Sequence, residues 1–422
     1  MREMKDSGIE WIGAIPKDWK ILKLNNVASK ITDYVASGSF ADLNKNVTYL
    51  DEPDYAMLVR TADLSGTKDK RVYINKDAYE FLGNSNLHGG EIILSNIGSV
   101  GNVFIYTPMY ERGSLAPNAI MIDGCPNNRY VYYWFLNPIA NEELKRIGGN
   151  AVQLKFNKTQ LRQFKVLCPS IFEQEKIVKY LDEKCAKIDS IIEKQQQIIE
   201  KLKEYKLSVI NEKTNINTGV TCHLSYLGQM KNGLNFTDVD DGEKIMFLGV
   251  GDFKDYFVLD NKIMFSTITV NENTISEELM LESGDIIFVR SNGSKELVGR
   301  AVMVDAIDFK LTYTGFAIRY RNKRKDVINS KYLLYYFRSP DFRKLLEKNS
   351  QGSNISNMNQ DLLGNIEINI PKMDYQNETV SFLDEKCKLI DKTIEDRQGA
   401  IDKLLDYKKS LIYEVVTGKK EV

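Results

Sequence analysis

His88 and His223 are the only histidines among 422 residues; Cys222 adjoins His223, but no second cysteine and no acidic cluster stands near either in the sequence. A zinc site or a histidine-based triad needs such residues to converge, so neither is expected. The five cysteines form no Cys-x-x-Cys pair, which fits a reducing cytoplasm without a disulfide framework. There is no Gly-x-x-x-x-Gly-Lys-Ser/Thr phosphate loop, no His-Glu-x-x-His and no Gly-x-Ser-x-Gly elbow. Gly249-Val250-Gly251 lacks the third glycine and following helix of a dinucleotide fingerprint and reads as a turn. Asn137-Pro138-Ile139-Ala140 begins like the Asn-Pro-Pro-aromatic loop of adenine methyltransferases. It lacks the second proline and the aromatic that stacks on a flipped base, so it reads as a helix end. Intrinsic catalysis is not expected.

Binding chemistry remains. Arginine, asparagine and glutamine make the bidentate contacts that read guanine and adenine edges, while lysine mainly neutralises phosphate. In the first half of the chain such residues are Lys68, Lys70 and Arg71, Asn96 and Ser99, Arg112, and Lys155 with Asn157. In the second half they are Arg290, Asn292, Ser294, Lys295 and Arg300, then Gln351, Ser353 and Asn354. The run Arg319-Tyr320-Arg321-Asn322-Lys323-Arg324-Lys325 is strongly basic and offers a phosphate contact or a solvated loop. The net charge of −1 does not advertise a nucleic-acid binder, but local patches decide binding and the average hides them.

These residues are positioned by elements that occur twice. Leu181-Asp182-Glu183-Lys184-Cys185 recurs as Leu383-Asp384-Glu385-Lys386-Cys387, and the match continues without a gap to Tyr205-Lys206 and Tyr407-Lys408. Each copy follows a proline, Pro169 or Pro371. Constant spacing over such a length means one structural unit used twice. Leu181, Cys185, Ile188, Ile192, Ile199 and Leu202 fall at steps of three, four and seven, as do Leu383, Cys387, Ile390, Ile394, Ile401 and Leu404. That spacing predicts one apolar stripe on each of two helices of roughly 40 residues, about 60 Å long. A stripe of that length needs another long helix, and the obvious partner is its own repeat. Periodicity leaves parallel and antiparallel pairings open. Gln195 and Arg397 interrupt the stripe at equivalent positions, where a polar break could fix register or simply face solvent. Cys185 and Cys387 read as small buried apolar residues.

The preceding segments repeat as well. Gly90-Glu91-Ile92-Ile93-Leu94 and Gly98-Ser99-Val100-Gly101-Asn102-Val103 correspond to Gly284-Asp285-Ile286-Ile287-Phe288, Gly293-Ser294 and Val298-Gly299-Arg300-Ala301-Val302. Both read as strand, glycine-containing loop, strand, and the second loop carries four extra residues. Aromatic helical segments follow at Asn128–Pro138 and Ser330–Pro340, each closing on a proline read as a helix stop. Apolar strands then precede Pro169 and Pro371. The opening Ile9–Trp19, with two tryptophans, reads as a docked irregular arm, and Tyr55–Val59 and Arg71–Ile74 as short strands. No segment is long and apolar enough to read as a secretory signal or a membrane span, so no membrane role is expected.

In order and duplication these features resemble the specificity subunit of type I restriction–modification enzymes. The resemblance covers essentially the whole chain. It rests on Ile9-Glu10-Trp11-Ile12-Gly13-Ala14-Ile15-Pro16 with Trp19, the Gly-Asp/Glu-Ile-Ile strands with their Gly-Ser loops, and Glu173-Gln174-Glu175-Lys176-Ile177 leading into Leu181. The repeated helices and the ending Glu414–Lys419 complete it. Asn377-Glu378-Thr379 departs from the Glu-Lys-Ile of the first copy.

The resemblance implies an α+β fold. Two similar mixed α/β target-recognition domains would be separated by two long helices packed as an antiparallel coiled coil, a pseudo-two-fold internal repeat. The expected division is residues 1–168 and 214–370 for the domains, and 169–213 and 371–422 for the helical spacers. It further implies a non-catalytic, cytoplasmic subunit that reads one half of a bipartite site in double-stranded DNA with each domain. Its partners would be two modification subunits and the restriction subunits. No cofactor is expected in this chain; S-adenosylmethionine, ATP and Mg would sit on the partners. Two other readings are a coiled-coil scaffold without a DNA role and a self-contained DNA methyltransferase.

Overall fold

The computed structural model describes the chain apart from residues 1, 68–69, 150–153, 217, 238, 254–255, 272–274, 295 and 350–356. It forms two compact units, Met1–Gln195 with Gly399–Val422, and Gln196–Gln398. Each unit therefore holds part of both long helices.

In the first unit, strands are ordered Lys30–Asp33, Ala119–Asp123, Ile92–Ser95, Val103–Ile105, all antiparallel. Ile92, Ile93 and Leu94 are all fully buried, because the strand is covered on both faces. Ile93 packs with Met121 against Met57, Val59 and Leu115, residues of a second sheet ordered Tyr73–Ile74, Ala56–Val59, Gly113–Leu115, Asn86–Leu87. The Ile9–Trp19 arm is more regular than its sequence suggests. Met4–Asp6 pairs with Ala14–Pro16, Trp19 is buried, and its indole N–H donates to Glu173 at 3.0 Å.

The second unit repeats this plan with a larger sheet, ordered Gly228–Asn232, Ala317–Asn322, Ile286–Val289, Ala301–Val304, Val258–Leu259. Alternation along one strand divides the core. Ile286 and Phe288 join Tyr332, Leu333 and Phe337 of a helix, while Ile287 and Val289 join Leu248 and Leu311 of the second sheet. The aromatic segments are helices Asn128–Leu136 and Ser330–Phe337, and their aromatics are core. The two helices end just before Pro138 and Pro340, as their sequence suggests, and both prolines have a second role. Each opens the next helix, Pro138–Ile147 or Pro340–Asn349, where its missing N–H costs nothing.

The long helices are Ile171–Thr214 and Met373–Val416, 44 residues each, about 66 Å at 1.5 Å per residue. Each start is fixed by a buried glutamine amide that donates to the preceding proline carbonyl, Gln174 to Pro169 at 3.1 Å and Gln376 to Pro371 at 2.8 Å. Leu181, Cys185, Ile188, Ile192, Ile199, Leu383, Cys387, Ile390 and Ile401 are buried. Leu202, Ile394 and Leu404 are half-buried. Burial raises the thiol pKa of both Cys185 and Cys387, as inert packing residues require.

Direction is decided inside each unit. In the first, Lys408 donates to Asp189 at 2.7 Å and Lys420 lies over the Tyr180 ring. In the second, Lys206 donates to Asp391 at 2.7 Å and Lys213 lies over Phe382. Ascending one helix descends the other, so the segments within each unit run antiparallel. Among the described residues no helix is long and apolar enough to cross a membrane.

Truncating Leu181, which is fully buried, to alanine should destabilise the protein by about 2–5 kcal/mol. Lys408→Ala removes a partly exposed pair and should cost under about 1 kcal/mol. Denaturant unfolding monitored by far-UV circular dichroism checks the contrast.

Candidate nucleic-acid interface

Both units build a loop cluster on the same frame. In the first unit, the loop between Ile92–Ser95 and Val103–Ile105 is pinned to the segment after helix Pro138–Ile147. The Asn96 amide donates to the Phe156 carbonyl at 3.0 Å, the Phe156 N–H donates back at 3.2 Å, and Ile97 bridges Lys155. Asn141 donates to the Gly101 carbonyl at 2.6 Å. Gly101 has φ +96°, and a Cβ there would meet Asn141 Oδ1 at 2.7 Å, so only glycine fits. The second unit repeats each element. Met358 N–H donates to the Arg290 carbonyl at 2.8 Å, Ser291 bridges Asn357, Arg343 donates to the Val298 carbonyl, and Gly299 has φ +83°.

On this frame the candidates separate. Ser99 and Lys155 are exposed beside each other's segments in the first unit, and Arg290, Asn292 and Ser294 share one loop in the second. Asn292 also accepts the Ser294 N–H at 2.8 Å, shaping the turn. Arg290 is half-buried, with Nη1 donating to the Gly315 carbonyl at 3.4 Å.

Two asparagines are corrected. Asn96 is 9% exposed, holding the loop from beneath rather than presenting an edge. Asn157 caps helix Lys158–Arg162, its side chain accepting the Gln160 N–H at 2.9 Å, which occupies the acceptor a base would need.

Lys70, Arg71 and Arg112 belong to a different set of segments. Lys70 pairs with Asp51 at 2.8 Å, Arg71 donates to the Met109 carbonyl at 3.4 Å, and Arg112 lies 4.5 Å over the Tyr55 ring. Lys68, Lys295, Gln351, Ser353 and Asn354 lie outside the described residues.

Arg300 lines a cleft of about 470 Å³ with Arg338, Arg343 and Lys344. Burial, reinforced by the nearby Arg300 charge, lowers the Arg338 pKa to about 10.

The basic run is largely structural. Arg319 and Arg321 lie on strand Ala317–Asn322. Arg319 is 4% exposed and donates to the Glu278 carbonyl. Arg321 binds the buried carboxylate of Asp285 through Nε at 2.8 Å and Nη2 at 2.7 Å. That bond is the main cause of its raised pKa. Only Lys323, Arg324 and Lys325 are exposed, and Arg324 pairs with Asp326. Period-two alternation, Arg319 and Arg321 on one face with Tyr320 on the other, was the available signal.

Two tip residues were not singled out from sequence. Asn118 is exposed at φ +71°, and Phe316 is 50% exposed at the equivalent turn. Ala116-Pro117-Asn118-Ala119 carries a turn signature, whereas nothing local marks Phe316 as exposed.

In each unit a carboxylate of the long helix takes both a tyrosine hydroxyl and a cation from the domain. Tyr133 O–H donates to Asp182 at 2.6 Å beside Arg129 Nε at 2.7 Å. Tyr335 O–H donates to Asp384 at 2.6 Å beside Lys331 Nζ at 2.7 Å. Burial, aided by these bonds, holds both phenols well above the usual tyrosine range.

Removing Arg321 strands Asp285, whose side chain is 1% exposed. Arg321→Ala should therefore cost about 3–5 kcal/mol, while Lys323→Ala should leave the unfolding midpoint unchanged. Urea titrations of both variants check this.

Known proteins share this architecture. A family model described as the type I restriction modification DNA specificity domain matches residues 16–204 and again 227–401. The specificity subunit of the type I restriction enzyme StySPI from Salmonella potsdam is 25% identical over 326 residues, covering 73% of this chain and 67% of that protein. The EcoKI specificity subunit of Escherichia coli strain K12 is 21% identical over 363 residues, 79% of this chain and 74% of that protein. A chain from a type I R-M system, solved to explain its complex assembly and conformational transition, superposes with a TM-score of 0.69 at 12% identity. It covers 96% of this chain and 99% of its own length. With a duplicated match over most of its length, this chain belongs to the type I restriction–modification DNA specificity family.

Proposed function

We propose that this chain is the DNA-recognition subunit of a type I restriction–modification complex, each loop cluster reading one half of a bipartite, asymmetric site in double-stranded DNA. One observation carries the reading. A single backbone frame occurs twice in a chain of this family, while the exposed side chains on it differ between copies. Exposed Lys155 of one cluster stands where exposed Asn357 stands in the other. A shared frame with different polar groups is what two readers of different sequences require.

The long helices would set the gap between half-sites and dock two modification subunits. The chain itself would be non-catalytic. Methyl transfer from S-adenosylmethionine, and ATP- and Mg-dependent translocation and cleavage, would belong to the modification and restriction subunits. Partner subunits would also supply phosphate contacts, which suits a net charge of −1.

Single-molecule sequencing of methylated adenine in the host, with and without this gene, tests the proposal. Deletion should erase one bipartite methylated motif and leave any others intact. An unchanged methylome would contradict the reading and favour a scaffold without a DNA role.

A further inference from the structure

At the outer end of each loop cluster lies a tight turn whose tip residue was not chosen by charge or motif. In the second unit the turn is Thr314-Gly315-Phe316-Ala317. Its place is fixed by backbone bonds from three directions. Arg290 N–H donates to the Phe316 carbonyl at 2.7 Å, Ala317 pairs with Val289 in the sheet, and Gly315 N–H donates to the Leu234 carbonyl at 3.0 Å. The Phe316 ring is 50% exposed and neighbouring Leu234 is 43% exposed. One exposed apolar side chain on a protein surface needs no explanation. Two on bridged segments, beside the backbone of Arg290 and Ser291, put exposed apolar surface within a polar loop cluster.

The first unit supplies an internal comparison. There the turn is Ala116-Pro117-Asn118-Ala119, with Asn96 N–H donating to the Asn118 carbonyl at 3.2 Å and Ala119 paired with Ser95. Position for position, Asn118 stands where Phe316 stands, and Asn96 where Arg290 stands. The shared frame therefore carries an amide at one tip and a phenyl ring at the other, on tip backbones that differ. Asn118 is also the only non-glycine residue with positive φ among those described, a conformation asparagine accepts and phenylalanine rarely does. Beneath each tip lies a buried polar atom with no hydrogen-bond partner among the described residues, Asn96 Oδ1 in one unit and Arg290 Nε in the other. Native interiors keep few such atoms.

Building on the DNA-recognition reading above, we propose that the two tips determine specificity, Phe316 by an apolar contact with a base pair of one half-site and Asn118 by amide hydrogen bonds to a base pair of the other. The chemistry follows from what bases display. A phenyl ring meets the thymine methyl group and rejects polar edges, while an asparagine amide matches the adjacent donor and acceptor of adenine. Losing one good contact of this kind costs about 1–3 kcal/mol of discrimination. That corresponds to roughly a five- to 150-fold relaxation at one base position, and the remaining positions are untouched.

The test uses the full chain expressed with its own modification subunits, with methylated motifs read by single-molecule sequencing. Phe316→Ala and Phe316→Asn should each relax or change one position within one half of the motif. Asn118→Ala should do so within the other half. Phe316→Leu, which keeps an apolar tip, should retain the parental motif at reduced extent. Melting temperatures identify any variant that fails to fold. Unchanged motifs in both Phe316→Ala and Asn118→Ala would overturn the proposal. So would alteration of both halves by one substitution, or loss of all methylation by Phe316→Leu at an unchanged melting temperature. If the wild-type chain confers no bipartite motif, the DNA-recognition reading itself falls instead.

Discussion

An apolar stripe on a helix of 44 residues cannot be satisfied by the small domain that precedes it. Long helices gain most of their stability in water from burying such a face. In the second unit Leu383 and Cys387 pack with Val209 and Ile210 of the other long helix and with Tyr335 of the domain, and within each unit the two helices run antiparallel. Leu181 and Leu383 are fully buried where each helix enters the pairing, and Cys185 and Cys387 follow one turn later. The lysine–aspartate pairs Lys408–Asp189 and Lys206–Asp391 add little energy at their exposure. Because each pair repeats the other with the helices exchanged, they specify register more than stability.

Everything else hangs from those helices. Asp182 and Asp384 each take a tyrosine hydroxyl and a cation from the adjoining domain, which sets how that domain leaves its helix. The glutamine clamps at Pro169 and Pro371 fix where each helix starts. With the scaffold held this way, the loops are released from structural duty, and their exposed side chains can differ without cost to the fold.

Much of this was legible in the sequence because it is periodic or repeated. The 202-residue offset between Cys185 and Cys387 revealed the duplication, and steps of three and four located the buried stripe. Direction was not legible, since it is carried by contacts such as Lys206 with Asp391, which sequence spacing does not pair. The proposed interface was less visible for a related reason. Residue type suggested Asn96, Asn157 and the Arg319–Lys325 run, but type does not reveal burial. Asn96 is consumed by loop anchoring, Asn157 by a helix cap, and Arg321 by Asp285. Phe316 escaped for the opposite reason, because an apolar residue between two strands reads as core until its turn is seen to project.

The central claim is that two readers on one frame act independently. Replacing residues 1–168 with those of a relative that recognises a different site, and sequencing methylated adenines, tests it most directly. The account predicts a hybrid motif in which one half changes and the other keeps its sequence. A motif changed in both halves would contradict it.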